Sequence, residues 1–243
     1  MTGFRRILLK LSGEALAGDS GNGYDIPTLE SFCRQIGAAR KSGIQIGIVV
    51  GGGNIFRGLP ASQAGVNRVK GDGMGMLATV INGIMLSDMF ERLDIPSIHL
   101  SALPVRGLVD EFNTDRAIEA LDNNRIVIFS GGSGNPFFST DTAASLRAAQ
   151  IEVDVILKGT RVDGVYDSDP EKNPSAEKFD FITFSEVLAR GLKVMDATAF
   201  AMCRENGIPI IVFNFTREGM LEKVLAGESV GTLVKEDENG QGT

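Results

Sequence analysis

Apolar residues fall in short runs along this chain, and longer amphipathic stretches separate them. RILLKLS (6–12), IQIGIVVGGG (44–53), IPSIHLSA (95–102), RIVIFSGG (125–132), VDVILKG (153–159) and PIIVFN (209–214) have the length and apolar content of buried strands. Between them, apolar positions recur at helical spacing over 27–42, 75–93, 114–122, 141–150, 197–206 and 217–226. Thr114 and Asp141 are placed to cap helix starts, and Gly43 and Gly207 stand just past two helix ends. Near-continuous apolar strands alternating with helices predict an α/β fold, a mostly parallel central sheet covered on both faces in a three-layer αβα sandwich. No repeat, low-complexity tract or linker composition divides the chain, so residues 1–243 read as one domain. A lobe boundary near residue 152 would leave lobes of about 1–152 and 153–243. The last nine residues, KEDENGQGT, are polar and predicted to fray.

Composition narrows the choice of partners. An apolar content of 43% with 23% charged residues is that of an ordinary globular protein. The formal charge of −7 speaks against nucleic acid as the main partner, but leaves room for a local basic pocket around a small anion. Cys33 and Cys203 match neither a disulfide framework nor zinc-ligand spacing, which suits a reducing cytoplasm. The N-terminal MTGFRRILLKLSG superficially resembles a secretion signal, yet its apolar run is short and broken by Lys10, and no small-residue cleavage site follows. No uninterrupted apolar stretch reaches membrane-spanning length, so a cytoplasmic protein with no membrane partner is expected.

Chemistry gathers at the strand ends. In parallel α/β folds ligands sit beyond the carboxyl ends of the strands. Those ends here carry KLSG (10–13), VGGGNIFRG (50–58), SGGSGNPFF (130–138) and LKGTRVDGVYDSDP (157–170). Each alone also fits a tight strand-to-helix turn. Four at one sheet edge point to a phosphate-bearing ligand, because glycine lets backbone N–H groups approach an anion and a following helix adds its dipole. The chain has no G-x-x-x-x-G-K-[ST], and its first strand does not lead into G-x-G-x-x-G; GDGMG (71–75) follows no clear strand. A P-loop NTPase and a dinucleotide enzyme are therefore disfavoured.

Lys10 lies on an apolar strand, where an ammonium group is costly unless it meets a partner or snorkels to an edge. Arg57 follows three glycines and could fork onto phosphate oxygens or sit on a surface loop. His99, the single histidine, reads as a core or edge residue, which leaves His-based triads and His-ligated metals without candidates. Phosphoryl transfer relies instead on positioning, Lys/Arg and Mg²⁺, and suits this inventory. Met74, Met76 and Met85 read as packing residues.

LLKLSGEAL, GGGNIFRG, GDGMGMLAT, SGNPFFSTD, LKGTRVDGVYDSDP and LKVMD, in this order, resemble bacterial UMP kinases of the amino acid kinase superfamily over residues 5–234. GNPFFSTD with GDGMGMLAT is the most specific piece and separates such enzymes from aspartate, glutamate and carbamate kinases. The resemblance implies the amino acid kinase fold and transfer of the ATP γ-phosphoryl group to UMP, giving UDP and ADP in pyrimidine nucleotide biosynthesis. It implies Mg²⁺ carried by ATP without a protein metal site, and a cytoplasmic homohexamer with GTP as possible activator and UTP as possible inhibitor.

Carried onto matching positions, the resemblance sets Lys10, Leu11, Ser12, Gly13, Gly53 and Arg57 on the ATP phosphates. Thr160, Tyr166 and Asp169 would line the adenine and ribose pocket. Gly52 and Asp72 would hold UMP, and Ser133, Gly134, Asn135, Pro136, Phe137, Phe138, Ser139 and Thr140 would wrap its uracil and ribose. One of the two phenylalanines is expected to be core packing. Lys158 would neutralise transferring charge, and Asp141 and Asp196 would orient the lysines, giving a catalytic set of Lys10, Arg57, Asp141, Lys158 and Asp196. Gly18, Asp19, Ser20, Gly21, Asn22 and Gly23 resemble an effector loop. Ser133, Gly73 and Arg161 depart from common family residues, as do Ser87, Glu91 and Ile98 at positions where some members carry basic groups for the effector. An amino acid or carbamate kinase, and a non-catalytic nucleotide sensor, are the competing readings.

Overall fold

The computed structural model describes residues 3–57, 65–170, 172–192 and 194–236. Gly58 and Lys193 of the quoted motifs, and most of the polar tail, lie outside them. The strands are β1 (Arg6–Leu11), β2 (Gln45–Val50), β3 (Ser97–Ser101), β4 (Asp110–Glu111), β5 (Ile126–Ser130), β6 (Val155–Thr160), β7 (Val165–Tyr166), β8 (Lys178–Phe179), β9 (Phe181–Ile182), β10 (Ile210–Asn214) and β11 (Thr232–Val234). The helices are α1 (Ile26–Lys41), α2 (Arg68–Arg92), α3 (Thr114–Asp122), α4 (Thr140–Gln150), α5 (Phe184–Ala189), α6 (Ala197–Glu205) and α7 (Met220–Leu225). Nine strands form one sheet in the order β4-β3-β5-β2-β1-β6-β10-β11-β9. Every described pairing in it is parallel except that of β10 with β11, while β7 and β8 make a separate antiparallel pair.

Both faces of the sheet are apolar because helices cover both. Ile7, Leu9 and Leu11 pack with Phe32 and Ile36 of α1, Leu86 and Phe90 of α2, and Leu221 of α7. Leu8 and Ile156 face the other way, toward Ala144 and Ala148 of α4 and Phe200 of α6. Side chains alternate along a strand, so Lys10 shares the face of Leu8 and Lys158 that of Ile156. This alternation aims both lysines at the α4 side.

Six expected strands and six expected helices are present, with shifted ends. The glycine-rich tails leave the strands earlier than expected, β2 at Val50 and β5 at Ser130. The largest correction is α2, which starts at Arg68 rather than residue 75 and takes GDGMG into its first turns. Asn67 caps it by accepting from Val69 and Lys70 N–H, and Arg68 pairs with Asp72 one turn on, which offsets the weak helix propensity of the glycines. The caps of α3 and α4 are Asn113 and Ser139, not Thr114 and Asp141, which fall inside the helices. Gly43 and Gly207 do stand beyond the ends of α1 and α6 with φ of 89° and 64°. The last helix is shorter than expected and follows Gly219 at φ 79°. The strands and α-helix the pattern missed, β4, β7, β8, β9, β11 and α5, span six residues or fewer, too short to show a period, and it also missed the 3-10 segment Gly13–Ser20.

By length and composition α2 could cross a membrane, with a window of mean hydropathy 1.3. Thr79, Asn82 and Asp88 interrupt its apolar run, and its inner flank packs on the sheet through Leu86, Met89 and Phe90. Met85 joins that packing, but Met74 is 46% exposed and is not a core residue. Met76 lies against the loop at Gly132, where an added Cβ would come within 3.2 Å of its Cγ.

Phe215 is buried between Phe32 and Phe213, with ring centroids 4.7 and 5.9 Å away. Phe215→Ala should cost about 3–5 kcal/mol of stability, read from urea unfolding midpoints.

Candidate active site

Parallel register sets Lys10 directly beside Lys158 on β1 and β6. Two like charges at neighbouring positions repel. Asp141, in the first turn of α4, stands between them, with Lys10 Nζ 2.7 Å from Oδ1 and Lys158 Nζ 3.0 Å from Oδ2. The Oδ1 contact is an ion pair without the alignment of a hydrogen bond, so Lys10 is held by charge. Lys158 also donates to the Val194 carbonyl. Burial alone would raise the Asp141 pKa, but Lys10 and Lys158 overcome it and hold the carboxyl below its usual range. Burial lowers the Lys158 pKa, with Lys10 adding to the effect and Asp141 opposing it. Asp196 makes no direct ion pair with either lysine among the described residues, but its charge supports the charged form of Lys158. Its carboxylate accepts from the Ser139 and Thr142 hydroxyls and caps α6 through Thr198 and Ala199 N–H, tying the starts of α4 and α6 together.

The glycine loops close around this centre. A Cβ on Gly13 would lie 2.6 Å from Gly51 O and 2.8 Å from Gly53 N, so the ends of β1 and β2 approach at backbone distance. Gly52 meets α2 in the same way, 2.8 Å from Ala78 Cβ. Ser12 caps the 3-10 segment Gly13–Ser20. Leu11 is buried, and its carbonyl accepts from Gly51 N–H at 3.0 Å, so it joins the strand ends instead of offering a side chain to a ligand. Arg57 pairs with Glu14 at 3.0 Å; both are about half exposed, a weak pairing that a phosphate could replace.

Residues 131–139 form a second loop. Gly131, Gly132 and Gly134 have φ of 74°, 60° and 82°, and Phe137 joins them at 73°. A side chain on Gly131 would strike Leu103 N at 2.6 Å, so here the glycine is obligatory. Asp72 anchors the loop by accepting from Phe137 N–H at 2.8 Å while Arg68 holds the same carboxylate. Its slight burial would raise its pKa, but these bonds outweigh that and lower it. Ser133 and Asn135 bond one another, and Ser139 caps α4. Neither phenylalanine is core: Phe137 is 64% and Phe138 48% exposed, correcting the expectation that one is buried. Thr140 opens α4 beside Gly51, whose added Cβ would lie 3.7 Å from Oγ1.

Thr160 donates to Val162 O, Tyr166 donates to Asp163 at 2.6 Å, and Asp169 pairs with Lys172. The 18–23 stretch lies against the first glycine loop, with Gly23 N–H on Asn54 O at 3.0 Å and Arg161 reaching Gly18 O at 3.4 Å. His99 packs under Gly83, bonds Ser130 at 2.7 Å, and is pushed down to about 4 by burial. It is neutral at physiological pH. Among the described residues no group of three His, Cys, Asp or Glu forms a metal cage. A cavity of about 980 Å³ lies elsewhere, between α1, α7 and Phe4, and contains none of the nominated residues. Sequence reading missed Arg68, Thr79, Asn82 and Thr142. The i,i+4 spacing of Arg68 and Asp72 was the one available signal.

A parallel sheet whose strand ends present two lysines and glycine loops defines a phosphotransfer class of site. The Amino acid kinase family model matches residues 5–214, and the chain belongs to that family. The Uridylate kinase of Phocaeicola vulgatus is 55% identical over 234 residues, 96% of this chain and 99% of that protein. The solved UMP kinase from Bacillus anthracis has a TM-score of 0.93 at 38% identity, covering 96% of this chain and 97% of that one. The UMP kinase from Ureaplasma parvum has a TM-score of 0.91 at 39% identity, covering 97% and 100%.

Asp141→Asn removes the charge that opposes the lowering of the Lys158 pKa. The kcat–pH profile should therefore lose its alkaline limb at lower pH than in the wild type, measured from pH 7 upward. An unmoved limb would separate Lys158 from the reaction.

Proposed function

We propose that this chain is a UMP kinase, transferring the ATP γ-phosphoryl group to UMP and releasing UDP and ADP. The observation that carries the reading is the Lys10–Asp141–Lys158 cluster between two glycine loops, in a chain so similar to uridylate kinases. A UMP phosphate oxygen attacks the γ-phosphorus as the bond to the β-phosphate oxygen breaks. The nucleophile is already anionic near neutrality, so no histidine base is needed. Lys10 and Lys158 stand where charge builds on the transferring group, Asp141 fixes their positions, and Arg57 exchanges Glu14 for phosphate oxygens. Mg²⁺ bound to ATP would neutralise phosphate charge. The residues fit a cation carried by the nucleotide, because both Asp141 oxygens already face ammonium groups.

In this reading the lobe before residue 152 takes UMP, through Gly52, Asp72 and the 133–140 loop. The lobe after it takes adenine and ribose, near Thr160, Tyr166 and Asp169. The protein works in the cytoplasm. Copies assemble as a homohexamer, and the exposed apolar stripe of Val69, Met74, Leu77, Ile81 and Ile84 on α2 supports such association. GTP activates and UTP inhibits; the 18–23 stretch, bonded to Asn54, would connect an effector to the phosphate loop.

ADP release with Mg-ATP and UMP, CMP, aspartate or carbamate tests the reading, and only UMP should turn over rapidly. Asp72→Asn should raise the KM for UMP about tenfold or more, as expected for a charge-assisted bond of about 1.5–3 kcal/mol, and leave that for ATP nearly unchanged. Weakened ATP with unchanged UMP would reverse the two pockets.

A further inference from the structure

The inner face of α2 carries Asp72, Thr79 and Asn82, and each holds a different loop segment. Asp72 receives Phe137 N–H and Thr79 Oγ1 receives Gly131 N–H, both at 2.8 Å. Asn82, fully buried, reaches the first glycine loop. Its Nδ2 donates to Gly51 O at 2.6 Å and to Asn54 Oδ1 at 2.7 Å. Asn54 Nδ2 returns a bond to Asn82 Oδ1 at 3.1 Å and gives its other hydrogen to Gly23 O at 2.9 Å. The Tyr24 hydroxyl completes the set on Asn82 Oδ1 at 2.8 Å. All four amide hydrogens are used.

Stability alone does not call for this pair, since an apolar pair of the same shape can be nearly neutral in a core. Geometry does. In a trans peptide the carbonyl and the next N–H point in opposite directions. Fixing Gly51 O toward Asn82 therefore turns Gly52 N–H away from α2. That N–H has no protein acceptor among the described residues.

We propose that Asn82 is a positioning residue for phosphoryl transfer, holding the 51–54 loop so that Gly52 N–H meets phosphate, with Tyr24 bracing it. This rests on the UMP kinase reading, and wild-type turnover of UMP with Mg-ATP tests that reading separately. Asn82→Asp keeps the side-chain shape and deletes both Nδ2 hydrogens. It should lower kcat about tenfold or more, with KM for UMP changed about threefold at most, because base and ribose contacts survive. Amide hydrogen exchange over 51–54 should quicken in the same variant. Tyr24→Phe, losing one bond, should move both readouts in the same direction by a smaller factor. A folded Asn82→Asp enzyme with kcat within about twofold of wild type, assayed well below its Tm, overturns the proposal. If that variant does not fold, Tyr24→Phe decides, and unchanged kcat and exchange overturn it.

Discussion

The register that places Lys10 beside Lys158 is the constraint on which the rest of the site depends. Two ammonium groups on adjacent strands, each about 85–90% buried, repel one another and have lost most of their water. One carboxylate shared between them opposes the repulsion, and the charge of Asp196 also favours the charged form of Lys158. The start of α4 delivers Asp141, and Ser139 caps it by accepting from Asp141 and Thr142 N–H, so the position of the carboxylate is fixed by the helix that carries it.

The loops that surround this charge are held by one long helix. Its inner face bonds the 51–54 loop through Asn82, Gly131 through Thr79 and Phe137 through Asp72, while its outer face stays apolar. Loops bonded to one rigid element keep their spacing, which is what a site needs if it acts by position more than by acid–base chemistry. Close packing also explains the glycines at 13, 52 and 131, where any side chain would meet backbone or a neighbouring Cβ. The glycines at 73 and 75 have open space around them, and nothing in the structure explains their choice.

Lys10 and the glycine loops were legible in the sequence because the rules behind them are local. A charge in an apolar run and clustered glycines at strand ends can be read without knowing what lies beside them. The pairing of Lys10 with Lys158 was not legible, because strand register across so long a separation is a tertiary property. Asp141 read as a cap from its local pattern and as an orienter of the lysines from the resemblance; the cap is Ser139, two residues earlier, and Asp141 pairs with Lys10 and Lys158. Asp196 was assigned to the lysines by resemblance; the chain bonds it to Ser139 and Thr142, from where its charge acts on Lys158 without direct contact. Asn82 carried no signal at all. A single amide in an apolar helix reads as a blemish until its partners are known.

The division of labour between strands and loops follows from these contacts. Lys10 and Lys158 sit on strands buried in the sheet, and Asp141 on the first turn of a helix. The groups that would select a nucleotide sit on glycine-wound loops whose exposed Phe137 and Phe138 have no fixed packing partner in the core. Such loops tolerate change, and the sheet beneath does not. A family built on this plan can keep one phosphotransfer centre and change acceptor by altering residues 131–140 and their anchor at Asp72. The net charge of −7 fits the same plan, because screening confines electrostatic attraction to about 8–10 Å at physiological salt. A negative overall charge is therefore no bar to a local cluster of lysines attracting an anion.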